Sequence, residues 1–305
     1  MRALTAITTP GYRLHVLDGG LASESRRVRV GALEIHCVVW GRAGDPIAVL
    51  VHGNGGHAHW WDALIPALVP GWQLIAPDLR GHGESDWPEL PAYRLEDFSA
   101  DLLGVIDQSA PGPVVLIGHS MGGRVAAWCA ARHPERFRKL VLLDTRMSGI
   151  NAKVAQKWRG RIAGARHGRG YATRDEALAA FRLIPDEPAV DAQVLAGLAQ
   201  HAVHERGPGD WTFRFDRAVL SLDGDGGGEL YRMLGQIRCP TLIMHGRASW
   251  VMDAAEAATL GAAIPTCSVQ AFPGGHHFFL AQAQAVGAAL RRFIDGPQAT
   301  RAAQS

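Results

Sequence analysis

The sequence predicts an α/β protein whose mostly parallel sheet is covered by helices on both faces. Short, wholly apolar runs at residues 47–51, 114–117 and 140–143 lack the alternation of a half-solvated strand, so both of their faces are expected to be buried. Segments of helical period stand between such runs. Strand and helix also alternate along most of the chain, the order that produces parallel neighbours joined by crossover helices.

Taken in order, the first two dozen residues show no clear period and read as an irregular arm. Residues 27–30 and 33–40 bracket a Gly-Ala turn and read as a hairpin. A strand follows at 47–51, a helix at 61–68, and a strand at 73–76 that ends at Pro77-Asp78. Residues 95–106 have apolar positions three and four apart and form a helix. The strand 114–117 runs straight into Gly-His-Ser-Met-Gly-Gly, and an alanine-rich helix occupies 121–131. The strand 140–143 ends in Asp144. A strand at 241–244, a helix at 254–263, a strand at 268–272 and a helix at 280–294 complete the pattern.

Between Asp144 and Cys239 the alternation stops. That stretch is rich in Arg, Ala and Gly, with helical segments at 174–183 and 190–203. It reads as an insertion that caps the site. The division expected is a core of 1–144 and 238–296, a cap of 145–237, and a disordered polar tail at 297–305.

Composition narrows the function. The formal net charge is +2, and the 31 basic residues are spread rather than clustered, which argues against a nucleic-acid partner. No segment approaches the roughly 20 apolar residues that span a bilayer, and the first residues make a poor signal peptide. Of the four cysteines, Cys37, Cys129 and Cys267 stand in apolar runs. No cysteine belongs to a CxxC pair or stands near a His at ligand spacing, so buried free thiols and a cytoplasmic setting are expected, with no metal and no cofactor. The partner expected is a small-molecule substrate; homodimer formation is left open.

One motif carries chemistry. Gly118-His119-Ser120-Met121-Gly122 fits G-x-S-x-G between a buried strand and a helix. A serine on that sharp turn projects clear of the sheet beside a helix N-terminus, where free N–H groups favour developing negative charge. A glycine-rich turn without chemistry is the plain alternative. A serine hydroxyl needs an adjacent base. Among 14 histidines, His276 is chosen because it lies in Phe272-Pro-Gly-Gly-His-His-Phe-Phe, a hinged loop between the last strand and the last helix. Its neighbour His277 is the rival. The oxyanion donors expected are the N–H groups of Met121 and of Asn54, the latter in His52-Gly53-Asn54-Gly55-Gly56. Gly53, His119 and Trp60 are expected to contact substrate. His57, His59, Trp60 and Trp61 read equally as pocket lining or as a helix start with core aromatics. Asp223-Gly-Asp-Gly-Gly-Gly lacks calcium-loop spacing and reads as a flexible loop.

At this point the sequence resembles the α/β-hydrolase superfamily, in particular its serine carboxylesterase-like members. HGNGG at 52–56, DLRGHGES at 78–85, GHSMGG at 118–123 and PGGHHFF at 273–279 carry the likeness, in the family's order and separation. The resemblance implies an eight-stranded, mostly parallel sheet with a helical cap after its sixth strand, the strand ending at Leu143. It implies that DLRGHGES shapes the floor of the site. It also implies a serine esterase mechanism with a catalytic triad and an oxyanion hole. Serine rather than Asp at the turn argues against dehalogenases and epoxide hydrolases. WTFRFD at 211–216 resembles bacterial carboxylesterase-like members.

One departure bears on the acid. The family's usual carboxylate follows the strand at 241–244 in G-x-x-D, and this chain has Gly246-Arg247-Ala248-Ser249. Ser249 cannot balance an imidazolium charge. Some relatives place the acid one strand earlier, where Asp144 stands. Asp253 is the other candidate, and it reads better as a helix N-cap. The function expected is hydrolysis of a carboxylic ester through an acyl-serine. The alternatives are a carbon–carbon hydrolase of vinylogous diketones, or a non-catalytic small-molecule receptor, favoured by the missing acid.

Overall fold

A computed structural model describes residues 13–16, 21–147, 170–221 and 226–296. Nine strands make one sheet: β1 (Arg13–Val16), β2 (Ala22–Val30), β3 (Leu33–Trp40), β4 (Ile47–Val51), β5 (Gln73–Pro77), β6 (Val114–His119), β7 (Phe137–Leu143), and, after a separate hairpin of β8 (Val203–Gly207) and β9 (Asp210–Phe213), β10 (Thr241–Gly246) and β11 (Cys267–Phe272). Their order across the sheet is β1-β2-β3-β5-β4-β6-β7-β10-β11. From β5 to β11 all neighbours are parallel, as wholly apolar strands require. β1 to β3 form an antiparallel meander joined to β5 through β3. The eight strands of the expected fold are therefore present, with one more at the edge. That ninth strand, β1, comes from the arm expected to be irregular, and β2 begins at Ala22 rather than at 27. Four residues are too few to show a period, and pairing with β2 orders them.

The helices are α1 (Ile65–Leu68), α2 (Leu95–Ser109), α3 (Met121–Arg132), α4 (Arg174–Ala180), α5 (Ala192–Ala202), α6 (Gly226–Met233), α7 (Ala254–Ala263), α8 (Phe278–Ala281) and α9 (Ala283–Asp295). The helix expected at 280–294 is thus two pieces that meet at Gln282. The one expected at 61–68 is a 3-10 turn, Ala58–Trp61, followed by the short α1. Asp253 caps α7 by accepting the Glu256 N–H at 2.8 Å, as the sequence suggested.

Each strand side chain chooses a layer by its parity. Val49, Val51 and Leu116 face a layer with Phe98 and Leu102 of α2, Val125 of α3 and Leu260 of α7. Ala48, Leu50, Val115 and Ile117 face the other, with Leu68 of α1 and Val286 and Leu290 of α9. Because β4 leads to β5 on one side while β6 leads to β7 on the other, the chain changes direction across the sheet between β4 and β6. A crevice opens at the carboxyl ends of strands at such a point, and the loops there are the ones that bind ligands.

The insertion differs from the expected helical cap in two ways. It contains the β8–β9 hairpin, turned by Gly-Pro-Gly, and just past β9 the Arg214 carbonyl accepts the Gly83 N–H at 2.8 Å. Its last part also packs on the core: Val219, Leu230, Met233, Leu234 and Ile237 lie in the layer with α3. Helical spacing of Leu230, Met233 and Leu234 supplies that apolar stripe. The glycines of 226–228 open α6 rather than a loop; 222–225, most of the segment 145–169 and the tail lie outside the described residues. Among the described residues no helix is long and apolar enough to cross a membrane.

Candidate active site

Ser120 sits between β6 and α3 with φ 53° and ψ −119°, a conformation rarely adopted by non-glycine residues. The turn closes because its neighbours lack side chains. A Cβ on Gly122 would stand 2.3 Å from the carbonyl oxygens of both Val51 and His52. A Cβ on Gly118 would meet Gly123 Cα at 2.6 Å. The half-buried hydroxyl reaches His276, whose Nε2 lies 3.0 Å from Ser120 Oγ. On the other side of the ring, Nδ1 lies 2.7 Å from Asp144 Oδ2. A carboxylate only accepts, so Nδ1–H donates to Asp144 and Nε2 is left to accept the Ser120 hydroxyl proton.

Asp144 follows β7 with φ 45° and is fully buried. Its Oδ1 accepts the Gly246 N–H at 3.0 Å, and its Oδ2 also accepts the Ser249 hydroxyl at 2.6 Å. Ser249 in turn accepts N–H bonds from Val251 and Met252 at 3.1 and 3.3 Å. The residue at the family's usual acid position is therefore a donor to the carboxylate on the neighbouring strand. Asp253 is occupied as the α7 cap.

The loop after β4 is held by groups from distant segments. His52 Nδ1–H donates to the Gly53 carbonyl at 2.8 Å and its Nε2 accepts the Leu79 N–H at 2.9 Å. His82 Nε2 accepts the Gly55 N–H at 3.1 Å, while Nδ1–H donates to the Arg80 carbonyl at 3.0 Å. Burial pushes His82 down to about 3, which keeps that acceptor nitrogen free of a proton. Asp78 accepts from Ala58 N–H at 2.6 Å, Glu84 N–H at 2.8 Å and His36 Nδ1 at 2.8 Å. Burial pushes its carboxyl up, but His36, His52 and the Glu84 N–H together outweigh this and hold it well below the carboxylate range. DLRGHGES thus underpins the HGNGG loop.

Gly53 lies against the serine: a Cβ there would touch His119 Nδ1 at 2.8 Å and Ser120 Cβ at 3.1 Å. Asn54 is half-buried. Among the described residues neither its N–H nor that of Met121 donates a hydrogen bond. His119 is buried beneath the base loop, with Nε2 donating to the His276 carbonyl at 3.1 Å. Trp60 is buried too, its ring 6.1 Å from His119 and 5.1 Å from His277. Trp61 packs on Phe279 at 5.5 Å as a core aromatic. Ser120 Oγ hydrogen-bonds His276, and among the described residues no hydrogen bond joins it to His277. Glu187, from the insertion, was not singled out in the sequence: its Oε2 accepts the Gly275 N–H at 2.7 Å, one residue before His276. It lies 88 residues from Gly275 in a stretch without motif.

Residues 46–283 match the model of the alpha/beta hydrolase fold. The chain belongs to this family, as an esterase-like member of the α/β-hydrolase superfamily. Esterase Rv0045c of Mycobacterium tuberculosis is 32% identical over 237 residues, 77% of this chain and 76% of the relative. 2-Hydroxymuconate semialdehyde hydrolase of Pseudomonas sp. (strain CF600) is 34% identical over 117 residues, 37% of this chain and 40% of that protein. The crystal structure of E-2-(acetamidomethylene)succinate hydrolase superposes with a TM-score of 0.78 over 90% of this chain and 99% of that one, at 24% identity, a likeness of fold.

Proposed function

We propose that the chain hydrolyses a carboxylic ester, or a similar acyl bond, of a small molecule through an acyl-serine intermediate. The observation that carries this reading is the hydrogen-bonded series Ser120–His276–Asp144. His276 takes the Ser120 proton as Oγ attacks the carbonyl, and Asp144 stabilises the imidazolium that forms. The N–H groups of Asn54 and Met121 hold the oxyanion at the N-terminus of α3. His276 then protonates the departing alcohol, and water, activated by the same base, releases the acid. Gly53, His119 and Trp60 shape the substrate side of the site. No cofactor takes part. The esterase relative supports the ester reading. The receptor reading rested on a missing acid, and the Asp144 carboxylate 2.7 Å from Nδ1 speaks against it.

The semialdehyde hydrolase relative favours a second reading, cleavage of a carbon–carbon bond in a vinylogous diketone by the same residues. Four free cysteines, three of them buried, support a cytoplasmic setting. The test is labelling with a fluorophosphonate together with turnover of a panel of esters and of a dienone diketone. Rapid labelling, ester turnover, and loss of both in Ser120→Ala by on the order of a million-fold are expected. A few-fold loss in a Ser120→Ala protein that melts normally overturns the assignment, and turnover of the diketone alone selects the second reading.

A further inference from the structure

Away from Ser120, three metal-ligating side chains converge where the insertion meets the core. His59 stands in the 3-10 turn Ala58–Trp61, just after the glycine-rich loop. Asp62 ends that turn, and its Oδ2 lies 3.0 Å from His59 Nδ1. His201 belongs to the last turn of α5, and its ring stacks on that of His59 with centroids 3.5 Å apart. One ligand atom from each of the three lies within 4.8 Å of the other two. His57 backs the group, its ring 6.3 Å from His59 and 6.0 Å from His201. Its Nε2–H donates to the Leu198 carbonyl of α5 at 3.1 Å, and its buried Nδ1 has no partner among the described residues.

We propose that His59, Asp62 and His201 bind a transition-metal cation of the zinc class, which ties the C-terminal turn of α5 to the segment leading out of the HGNGG loop. This goes beyond the ester-hydrolase reading and does not depend on it. The donor set selects the ion class. Two imidazole nitrogens and one carboxylate oxygen suit zinc, nickel, cobalt or copper, whereas magnesium and calcium call for an oxygen shell. Electrostatics point the same way, because a carboxylate and the negative end of the α5 dipole meet here.

The spacing is close to what an ion needs. Tetrahedral ligands at about 2.0–2.2 Å from zinc stand about 3.3–3.6 Å from one another. The His59–Asp62 pair, at 3.0 Å, has to open by a few tenths of an ångström to take the ion. Each ring must hold the ion in its own plane, so binding turns the His201 imidazole off the stack and towards Asp62. His59 is buried while Asp62 and His201 are half-buried, which leaves a side open for entry and for a water as the fourth ligand.

The test uses the full chain, stripped with EDTA and dialysed, then titrated with ZnCl2, NiCl2 and, as a hard-ion control, MgCl2. Calorimetry and thermal melting are the readouts. One equivalent of zinc binding in the micromolar range is expected, with a rise in Tm of about 3 °C or more at saturating zinc and no response to magnesium. His201→Gln and Asp62→Asn should each weaken zinc binding at least about tenfold with the circular dichroism spectrum unchanged, while His276→Ala keeps the affinity. Three results overturn the proposal. One is zinc affinity unchanged in both His201→Gln and Asp62→Asn. Another is affinity lost only in His276→Ala, which would put the ion on the base. The third is no binding up to millimolar zinc, which would leave a plain hydrogen bond and ring stack.

Discussion

Among the described residues two non-glycine residues, Ser120 and Asp144, hold positive φ, and they are the two that flank His276. Such a conformation costs about 1–3 kcal/mol and persists only where surrounding contacts fix it. At Asp144 those contacts are the Gly246 N–H, the Ser249 hydroxyl and His276 Nδ1, so the carboxylate is fully satisfied. This gives the two side chains unequal weight. Asp144→Asn keeps the shape but no longer holds the charge or the Nδ1–H tautomer, and turnover should fall roughly three to four orders of magnitude. Ser249→Ala removes one charge-assisted hydrogen bond, worth about 1.5–3 kcal/mol, and should cost about ten- to a hundred-fold. Steady-state kcat on one chromogenic ester decides between them. A larger loss in Ser249→Ala than in Asp144→Asn would mean that the serine, not the carboxylate, orients the base.

At the scale of elements, the β6–α3 turn works because a backbone passes where a side chain would stand. Gly122→Ala puts a methyl 2.3 Å from two carbonyl oxygens of β4 and its following loop. It should destabilise the chain by about 1–3 kcal/mol or more and displace Ser120, so urea midpoint and ester turnover fall together. Normal stability with full activity would show that α3 can shift freely. This turn was legible in the sequence, since an apolar strand, G-x-S-x-G and an alanine-rich helix are all local signals. So was the placement of His276 beside Ser120, through its Gly-Gly hinge, and that of Asp144 beside His276, through the serine at 249. The support of the HGNGG loop was not. His52, His82 and Asp78 act on partners 20 to 42 residues away, and nothing in their own neighbourhoods announces it. The β8–β9 hairpin could have been found from Gly207-Pro208-Gly209-Asp210 between two apolar-ended runs, a turn signal inside a segment read for helices.

Across the whole molecule, buried neutral histidines set the response to acid. Burial lowers His52, His57, His82, His119 and His277 below their ordinary value, His82 to about 3. The unfolded chain takes up these protons near pH 6.5 and the folded chain does not. Stability is therefore full above that pH and is lost as pH falls towards the folded values, by up to about 1.4 kcal/mol per pH unit for each histidine. Tm should stay level from pH 7 upward and drop steeply between pH 6.5 and 4, with more than two protons taken up on unfolding; an uptake below one would contradict the neutral network. The contact between Asp144 and Ser249 has a consequence of another kind. It joins the ends of adjacent strands β7 and β10, whose backbones are already locked by the Asp144 N–H on the Met244 carbonyl at 2.7 Å. In evolutionary terms, under the proposed mechanism, the acid has two addresses beneath one imidazole. A lineage could pass through a form with carboxylates at both, sharing a proton, and then lose either one, relocating a member of the triad by two point changes and no change of fold.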